Sequence, residues 1–150
     1  MSNEELKQKI TEAFPAVTFE DGEWLNVVVE PQDWPLLSKN LRENPEFLFD
    51  YLFCLTCVDW KTHLTMVYHF SSTKYRHTVV VKSKLLRSEP EIDSVSHLWR
   101  TAEFHEREVY DLFGVKFLNH PDLRRLLMTD EWVGFPLRKD YDDPVNMIRL

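Results

Sequence analysis

Several residue types and patterns that carry common chemistry are scarce in this sequence. Glycine occurs only three times in 150 residues, and no two glycines lie close together. We therefore expect no nucleotide site, because phosphate-cradling loops use clustered glycines ahead of a helix. The formal net charge is -7, and no block of Lys or Arg interrupts it. Nucleic acid is therefore a poor candidate partner, since binding to its phosphates needs clustered cations.

Long hydrophobic runs are also missing. The most apolar stretch, residues 47–58, contains Asp50 and is shorter than the roughly 20 apolar residues that a membrane-spanning helix needs. The first residues include Glu4 and Glu5 and lead into no apolar run, unlike a secretory or transit signal. We therefore expect a cytoplasmic protein that starts at Met1 and meets a membrane only indirectly, through a partner.

Only two cysteines are present, Cys54 and Cys57. Their spacing is that of a thioredoxin-type redox pair or half a metal site, so a stand-alone thiol oxidoreductase is one candidate function. An iron–sulfur cluster needs about four ligands, and no further cysteine is available. The pair also lies in a predicted strand, where residues three apart point to opposite faces. Two small buried side chains in a reducing cytoplasm are the favoured interpretation.

The first half of the chain predicts helices and strands in mixed order. Ser2 and Glu5 have the spacing of a capping box for a helix that ends at Pro15. Residues 16–20 and 24–30 are predicted to form a hairpin around Asp21 and Gly22, where glycine accepts a positive φ. Asp33 is predicted to cap a second helix that ends near residue 44. Three strands follow, over residues 47–60, 62–70 and 76–84.

The second half predicts a turn, a helix and an irregular tail. The turn covers residues 88–93, and the helical pattern covers 94–113 with a break near Thr101 and a stop at Gly114. Residues 120–150 contain three prolines and little periodicity, so we expect an extended C-terminal arm. The predicted fold class is α+β, a single domain with a mostly antiparallel sheet flanked by helices. Its body is residues 1–100, and residues 101–150 form the late helix and the C-terminal arm.

The late helix carries charges that need partners. His105 with Glu106 is not a zincin motif, because Val109 stands where the second His belongs, and we expect no catalytic metal. Glu106 falls on the apolar stripe of the helix, where a carboxylate must be paired or hydrogen-bonded. Glu103, Arg107 and Asp111 form a stripe on the opposite face.

Two interpretations of these charges remain open. One is a solvated helix face. The other, which we favour, is that Glu106 and Asp111 meet arginines of the C-terminal arm or of another protein chain, since an acid near a helix C-terminus is unfavourable without an outside cation. The arm supplies such cations between leucines and aromatic residues, a composition typical of protein interfaces. These cations are Arg124, Arg125, Arg138 and Lys139.

The order of these residues resembles a family signature that covers roughly the last third of the chain. It runs from Glu106-Arg107-Glu108 through Asp111-Leu-Phe-Gly114 and His120-Pro-Asp-Leu-Arg-Arg-Leu126 to Trp132-Val-Gly-Phe-Pro-Leu-Arg-Lys-Asp-Tyr141. It is similar to the C subunit of the proton-translocating NADH–quinone oxidoreductase, respiratory complex I. The resemblance implies that the charged residues of this signature and His120 have structural roles or lie at interfaces with other subunits. These residues are Glu106, Arg107, Glu108, Asp111, His120, Arg124, Arg125, Arg138, Lys139 and Asp140.

The resemblance implies a non-catalytic subunit of the peripheral part of the complex, on the cytoplasmic face of the inner membrane. Its partners would be the quinone-site D subunit and neighbouring iron–sulfur subunits. Flavin, iron–sulfur clusters and quinone would belong to partner subunits, with no cofactor in this chain and no activity of the chain alone. The alternatives are the equivalent subunit of a membrane-bound hydrogenase or a ferredoxin- or quinone-linked complex, and a general protein-binding module.

Overall fold

The computed structural model describes residues 2–145, which form three α-helices, one 3-10 turn and seven strands. In chain order these are α1 (Asn3–Ala13), β1 (Thr18–Glu20), β2 (Leu25–Val28), the 3-10 turn (Pro31–Asp33), α2 (Trp34–Glu43), β3 (Tyr51–Asp59), β4 (His63–Ser71), β5 (Thr78–Leu86), β6 (Glu91–Asp93), α3 (Ala102–Phe113) and β7 (Lys116–Leu118). The last five residues of the predicted C-terminal arm, 146–150, lie outside the described range.

Five strands form one sheet in the order β1-β2-β5-β4-β3. All neighbours are antiparallel except β2 and β5, which are parallel. The remaining two strands, β6 and β7, form a separate parallel pair. The predicted class, an α+β domain with a mostly antiparallel sheet and flanking helices, is therefore confirmed.

The core lies between one face of the sheet and the helices. Alternate residues of β4 are buried on this face, as the period of two in a strand requires: Leu64, Met66, Tyr68 and Phe70. Trp34 of α2 packs on Tyr68 with ring centroids 4.7 Å apart, and Trp99 packs on Phe70 at 4.5 Å. Each buried side chain of this size stabilises the fold by about 1.5–3 kcal/mol. Val109 of α3 and Phe117 of β7 belong to the same core, so these elements pack with the body.

Several predicted helix boundaries are confirmed. Ser2 Oγ accepts a hydrogen bond from Glu5 N–H at 3.2 Å, and Glu5 Oε2 accepts one from Ser2 N–H at 3.3 Å. Gly114 follows α3 with a φ of 78°, at the predicted stop of this helix. Local sequence therefore determines where α1 begins and where α3 ends, because the groups that shape these two ends lie within a few residues.

The hairpin and the second helix differ from the prediction in detail. Strands β1 and β2 do form a hairpin, but Gly22 does not adopt a positive φ. Asp33 precedes α2 without a side-chain hydrogen bond to the helix, which begins instead from the 3-10 turn. Pro31 opens that turn, where its fixed φ suits a helix start.

Three other predictions were wrong about extent. Strand β3 begins at Tyr51, because Phe47 and Phe49 are buried in the preceding loop. Residues 91–93 form β6 where a turn was predicted, and three residues are too few to display an alternating pattern. Residues 94–101 precede the helix instead of belonging to it; the N–H of Val95 donates to Glu106 Oε2 at 3.1 Å.

Candidate docking site

One carboxylate of α3 holds the start of the C-terminal arm. The Asp111 side chain is fully buried, and its Oδ1 accepts a hydrogen bond from Arg125 Nη1 at 3.0 Å. Its Oδ2 accepts hydrogen bonds from three successive backbone N–H groups, those of Leu126 at 3.2 Å, Leu127 at 2.6 Å and Met128 at 2.9 Å. The prediction that Asp111 meets an arginine of the arm is confirmed. Four donors on one side chain fix the path of this segment.

Asp111 stays ionised although it is buried. Burial alone would raise its pKa, but the hydrogen bonds from the arm backbone and from Arg125 favour the charged form and outweigh that effect. The pKa of Asp111 is therefore lowered from its ordinary value. Because a charged acceptor binds N–H donors more strongly than a neutral one, this attachment is present at neutral pH and is lost only in acid.

Guanidinium groups tie the arm to α3 through main-chain carbonyls. Arg107 Nε donates to the carbonyl of Arg124 at 3.2 Å, and Arg107 Nη2 donates to the carbonyl of Arg125 at 3.1 Å. Arg125 Nη2 donates in turn to the carbonyl of Gly134 at 2.9 Å. Arg107 is only 6% exposed, so the solvated helix face is contradicted for Arg107 and Asp111. The body covers one side of α3, and the C-terminal arm covers the other.

The end of α3 is shaped to receive an aromatic ring of the arm. A Cβ at Gly114 would lie 2.6 Å from the ring of Phe135, so glycine is needed both for its positive φ and for this close approach. Two guanidinium groups lie over the Phe135 ring. The distance from Cζ to the ring centroid is 5.1 Å for Arg125 and 5.5 Å for Arg138. Arg138 Nε also donates to the carbonyl of Phe113 at 2.6 Å.

A second buried carboxylate, Asp59 at the end of β3, holds the far part of the arm. It pairs with Arg87, and its Oδ2 accepts a hydrogen bond from the backbone N–H of Lys139 at 2.7 Å. Arg87 Nη2 also pairs with Asp140 at 3.0 Å. Hydrogen bonding to Arg87 lowers the pKa of Asp59, against the effect of burial. Lys139 therefore contributes its backbone to this attachment, whereas a charged side-chain contact was predicted.

Glu106 is buried on the body side of α3 and meets no arginine among residues 2–145, so for the described part of the chain that prediction is wrong. Its Oε1 accepts a hydrogen bond from Ser94 Oγ at 2.6 Å, and its Oε2 accepts the N–H of Val95. Burial raises the pKa of Glu106 to about 7, although both hydrogen bonds favour the charged form. Neutral donors therefore do not fully replace water around this carboxylate.

The remaining predicted site residues lie nearer the surface. His120 Nδ1 accepts the N–H of Asp122 at 3.0 Å, so its Nε2 carries the proton and donates to the carbonyl of Glu103 at 2.9 Å. Arg124 pairs with Asp122 at 2.9 Å, and both side chains are more than half exposed. Glu108 is exposed.

The C-terminal arm presents an apolar outer surface. Leu127 is 61% exposed, Val133 87% and Leu137 53%, and Phe104 of α3 is 59% exposed beside Arg107. We call these four apolar side chains the arm surface. Exposed leucine, valine and aromatic side chains of this kind suit a protein interface.

The cysteines do not form a redox site in this fold. Cys54 and Cys57 lie within β3 and not at a helix N-terminus, and Cys57 is buried. Burial raises the pKa of the Cys57 thiol to about 12, opposite to the shift of a reactive thiol. Among residues 2–145, no three His, Cys, Asp or Glu side chains are placed to hold a metal ion. No helix within that range is long and apolar enough to cross a membrane.

Asp59 and Arg87 were missed by the sequence analysis. They lie 28 positions apart, and the bond from Asp59 to Lys139 spans 80 positions. Neither residue stands in a motif. Only the arrangement of β3 and β5 within the sheet brings them to the arm, so no local pattern could have found them.

The family follows from a direct match. A family model described as "Respiratory-chain NADH dehydrogenase, 30 Kd subunit" matches residues 27–145. The chain belongs to this family. The C subunit of the NADH-quinone oxidoreductase of Citrifermentans bemidjiense is 39% identical over 139 residues, which cover 91% of this chain and 84% of that protein.

Other relatives are longer than this chain. The fused C/D subunit of the NADH-quinone oxidoreductase of Phocaeicola vulgatus is 50% identical over 103 residues, 67% of this chain and 20% of that protein. The C subunit of Chloroherpeton thalassium is 43% identical over 110 residues, 72% of this chain and 46% of that protein. The chain therefore spans less than half of these two relatives.

Two solved structures share the fold. A trypsin-resistant fragment of Nqo5 superposes with a TM-score of 0.70 at 26% identity, covering 81% of this chain and all of that fragment. A chain of the membrane-bound sulfane sulfur reductase, an archaeal respiratory membrane complex, superposes with a TM-score of 0.80 at 24% identity, covering 93% of this chain and 85% of that one. At that identity the second likeness concerns the fold alone.

Proposed function

We propose that this chain is a non-catalytic subunit of a proton-translocating NADH–quinone oxidoreductase and that it docks on the quinone-site D subunit through the arm surface. In this role it stabilises the junction between the electron-transferring subunits and the quinone-reducing subunit, next to iron–sulfur subunits. It lies on the cytoplasmic face of the membrane and meets the bilayer only through its partners.

The observation that carries the proposal is the way the C-terminal arm is held. Asp111, Arg107 and Asp59 bind the backbone of the arm from below, while Leu127, Val133 and Leu137 point outward with most of their area exposed. A segment fixed in this way is preorganised, so it loses little conformational entropy on binding.

The D subunit is the proposed partner because of the relatives. The Phocaeicola vulgatus relative is named as a C/D protein, and the match to this chain covers one fifth of it. Fusion of two subunits in one polypeptide keeps them close together and in equal amounts. We infer that this chain occupies the corresponding place beside its own D subunit.

We also propose that the chain holds no cofactor, with flavin, clusters and quinone in partner subunits. Purified alone, it should show neither flavin nor iron–sulfur absorbance and should not oxidise NADH. A stoichiometric chromophore in the isolated chain would overturn this part of the proposal.

The docking proposal is tested by charging the arm surface. Leu127→Asp combined with Leu137→Asp should strongly reduce the amount of the chain that co-migrates with the membrane-bound oxidoreductase on native gels. The matched control for each single change is Leu36→Asp on α2, whose side chain is 66% exposed in the wild type, close to the 61% of Leu127. Normal assembly of the arm variant, or equal loss for the control, would contradict docking through the arm.

The alternative complexes have weaker support. The likeness to the sulfane sulfur reductase chain extends to the fold only, whereas relatives at 39–50% identity are named as NADH-quinone oxidoreductase subunits. Co-purification of this chain with a nickel-site subunit instead of a quinone-site subunit would favour the hydrogenase-like alternative.

A further inference from the structure

A cleft lies beside the end of β5, where the neighbouring strand β2 stops before β5 does. Strand β2 pairs with β5 only as far as Lys82, and the N–H of Val29 donates to the carbonyl of Lys82 at 3.0 Å. The chain then turns away at Pro31 into the 3-10 turn, while β5 continues to Leu86. Beyond Lys82, β5 therefore has a strand partner on one side only among residues 2–145, which is β4.

On its free side, the end of β5 carries backbone groups that have no hydrogen-bond partner among residues 2–145. Because the carbonyl of Lys82 faces β2, the backbone groups two and four residues later, at Lys84 and Leu86, face the same way. Strand β6 lines the cleft as well and pairs only with β7 within the described part of the chain, so it also has one free edge. Unpaired edges of this kind are templates for an added strand.

The cleft has an apolar floor and an acidic rim. Its volume is about 710 Å³, and it lies between the 3-10 turn, the end of β5, β6 and Leu118. Leu85 and Ile92 are buried beneath it, and Leu86 is 74% exposed at its margin. Four carboxylates line it, against one lysine and one histidine: Glu30, Glu89, Glu91 and Asp93, with Lys84 and His63. None of the four forms an ion pair with another residue between 2 and 145.

We propose that this cleft binds an extended segment of a partner protein in which basic and apolar side chains alternate, and that the segment adds as a strand along the free edge of β5. Alternation places apolar side chains on the floor formed by Leu85 and Ile92 and basic ones at the acidic rim. The cleft is separate from the arm surface, because none of its lining residues belongs to the C-terminal arm.

The proposal is tested with the full chain and labelled eight-residue peptides. A peptide of alternating lysine and valine should bind, as measured by fluorescence anisotropy, whereas the glutamate–valine counterpart should not. Glu89→Lys with Glu91→Lys should weaken binding about tenfold or more, because two attractive contacts become repulsive. The matched control is Glu4→Lys with Glu12→Lys on α1, which makes the same change of net charge away from the cleft and should leave affinity unchanged.

Backbone pairing is tested separately. Lys84→Pro removes an N–H on the free edge of β5 and leaves the N–H groups that pair with β4 in place. In the peptide, methylation of alternate backbone nitrogens removes the N–H groups that would pair with β5. Both should lose most of the binding. Equal binding of the acidic peptide, or unchanged binding after either change, would overturn the proposal, and so would finding that a second copy of this chain occupies the cleft. Leu127→Asp should still bind the peptide, so failure here and failure of the docking proposal are distinguishable.

Discussion

The two sides of α3 shift the pKa of a buried carboxyl group in opposite directions. On the side of the body, Glu106 is fully buried with two neutral donors, and its pKa rises to about 7. On the side of the C-terminal arm, Asp111 is equally buried, but it receives a guanidinium and three backbone N–H groups, and its pKa falls. Burial favours the neutral form of both carboxyl groups, and the cation and the additional N–H donors around Asp111 favour its charged form.

The same contrast extends to the regions that these residues join. The body is held by a core of buried apolar side chains, whereas none of residues 120–145 is buried. The arm therefore depends largely on polar attachments to the core-containing part of the chain, which includes α3 and β7. Such a segment can stay ordered while leaving its apolar side chains available to a partner.

Asp111→Ala should destabilise the structure most. It removes the buried charge on the side of α3 that faces the C-terminal arm and leaves Glu106 on the other side unchanged. It leaves Arg125 and three N–H groups without their acceptor, and breaking a buried pair costs about 3–5 kcal/mol. We expect the arm to detach, so that trypsin cleaves after Arg124 and Arg125 while the body stays intact. The measurement is limited proteolysis followed by mass spectrometry.

The control for this change is Glu108→Ala on the same helix, whose side chain is exposed. It should change the free energy of unfolding by no more than about 0.5 kcal/mol and leave the arm resistant to trypsin. If Asp111→Ala resisted trypsin equally well, Asp111 would not hold the arm in place.

Glu106→Gln tests the other side of α3, where the buried carboxyl group faces the body. It should change how the stability of the protein depends on pH. An unfolded glutamate loses its proton near pH 4.5, and folded Glu106 loses it near pH 7. Between these values the folded state binds more protons, so the stability of the wild type falls as pH rises from about 4.5 to 7. The difference corresponds to about 3 kcal/mol. Glutamine cannot ionise, so relative to wild type the variant should gain about that much in this pH window.

Chemical denaturation of both proteins at pH 5 and pH 8 measures this difference, and the other titrating groups cancel in the comparison. A wild type that loses no stability relative to the variant between these pH values would mean that Glu106 is solvated or paired with a cation.

Gly114→Ala should have a smaller effect, at the junction of the two regions. A left-handed φ costs a residue with a Cβ about 1–3 kcal/mol, and the new methyl group would also press on Phe135. Combining Gly114→Ala with Phe135→Leu should restore only that part of the lost stability that is due to the clash with the Phe135 ring. The free energies of unfolding of the two single variants and the double variant separate these contributions; full recovery would show that φ is not strained.

Sequence reasoning found the features of this site that depend on near neighbours. The stop at Gly114, the capping box of Ser2 and Glu5 and the need of Asp111 for a cation each rest on short-range geometry. It missed those that depend on distant segments. The partners of Glu106 come from a turn that resembles a continuing helix, and the parallel pairing of β2 with β5 joins strands more than 50 positions apart. Neither leaves a periodic signal.

Arg124→Ala should have the smallest effect on stability and a clear effect on assembly. Its ion pair with Asp122 is exposed, and such pairs contribute at most about 1 kcal/mol. The free energy of unfolding should therefore hardly change. Co-migration with the membrane complex should fall if this exposed guanidinium contacts the proposed partner subunit. Normal assembly would show that Arg124 faces solvent in the complex.

Crosslinking from the arm tests the central claim most directly. A photoreactive phenylalanine analogue at Leu127 should crosslink to the quinone-site subunit when the native membrane complex is irradiated, and the same analogue at Leu36 should not. A crosslink from position 36 with none from position 127 would place the docking surface on the body and contradict docking through the C-terminal arm.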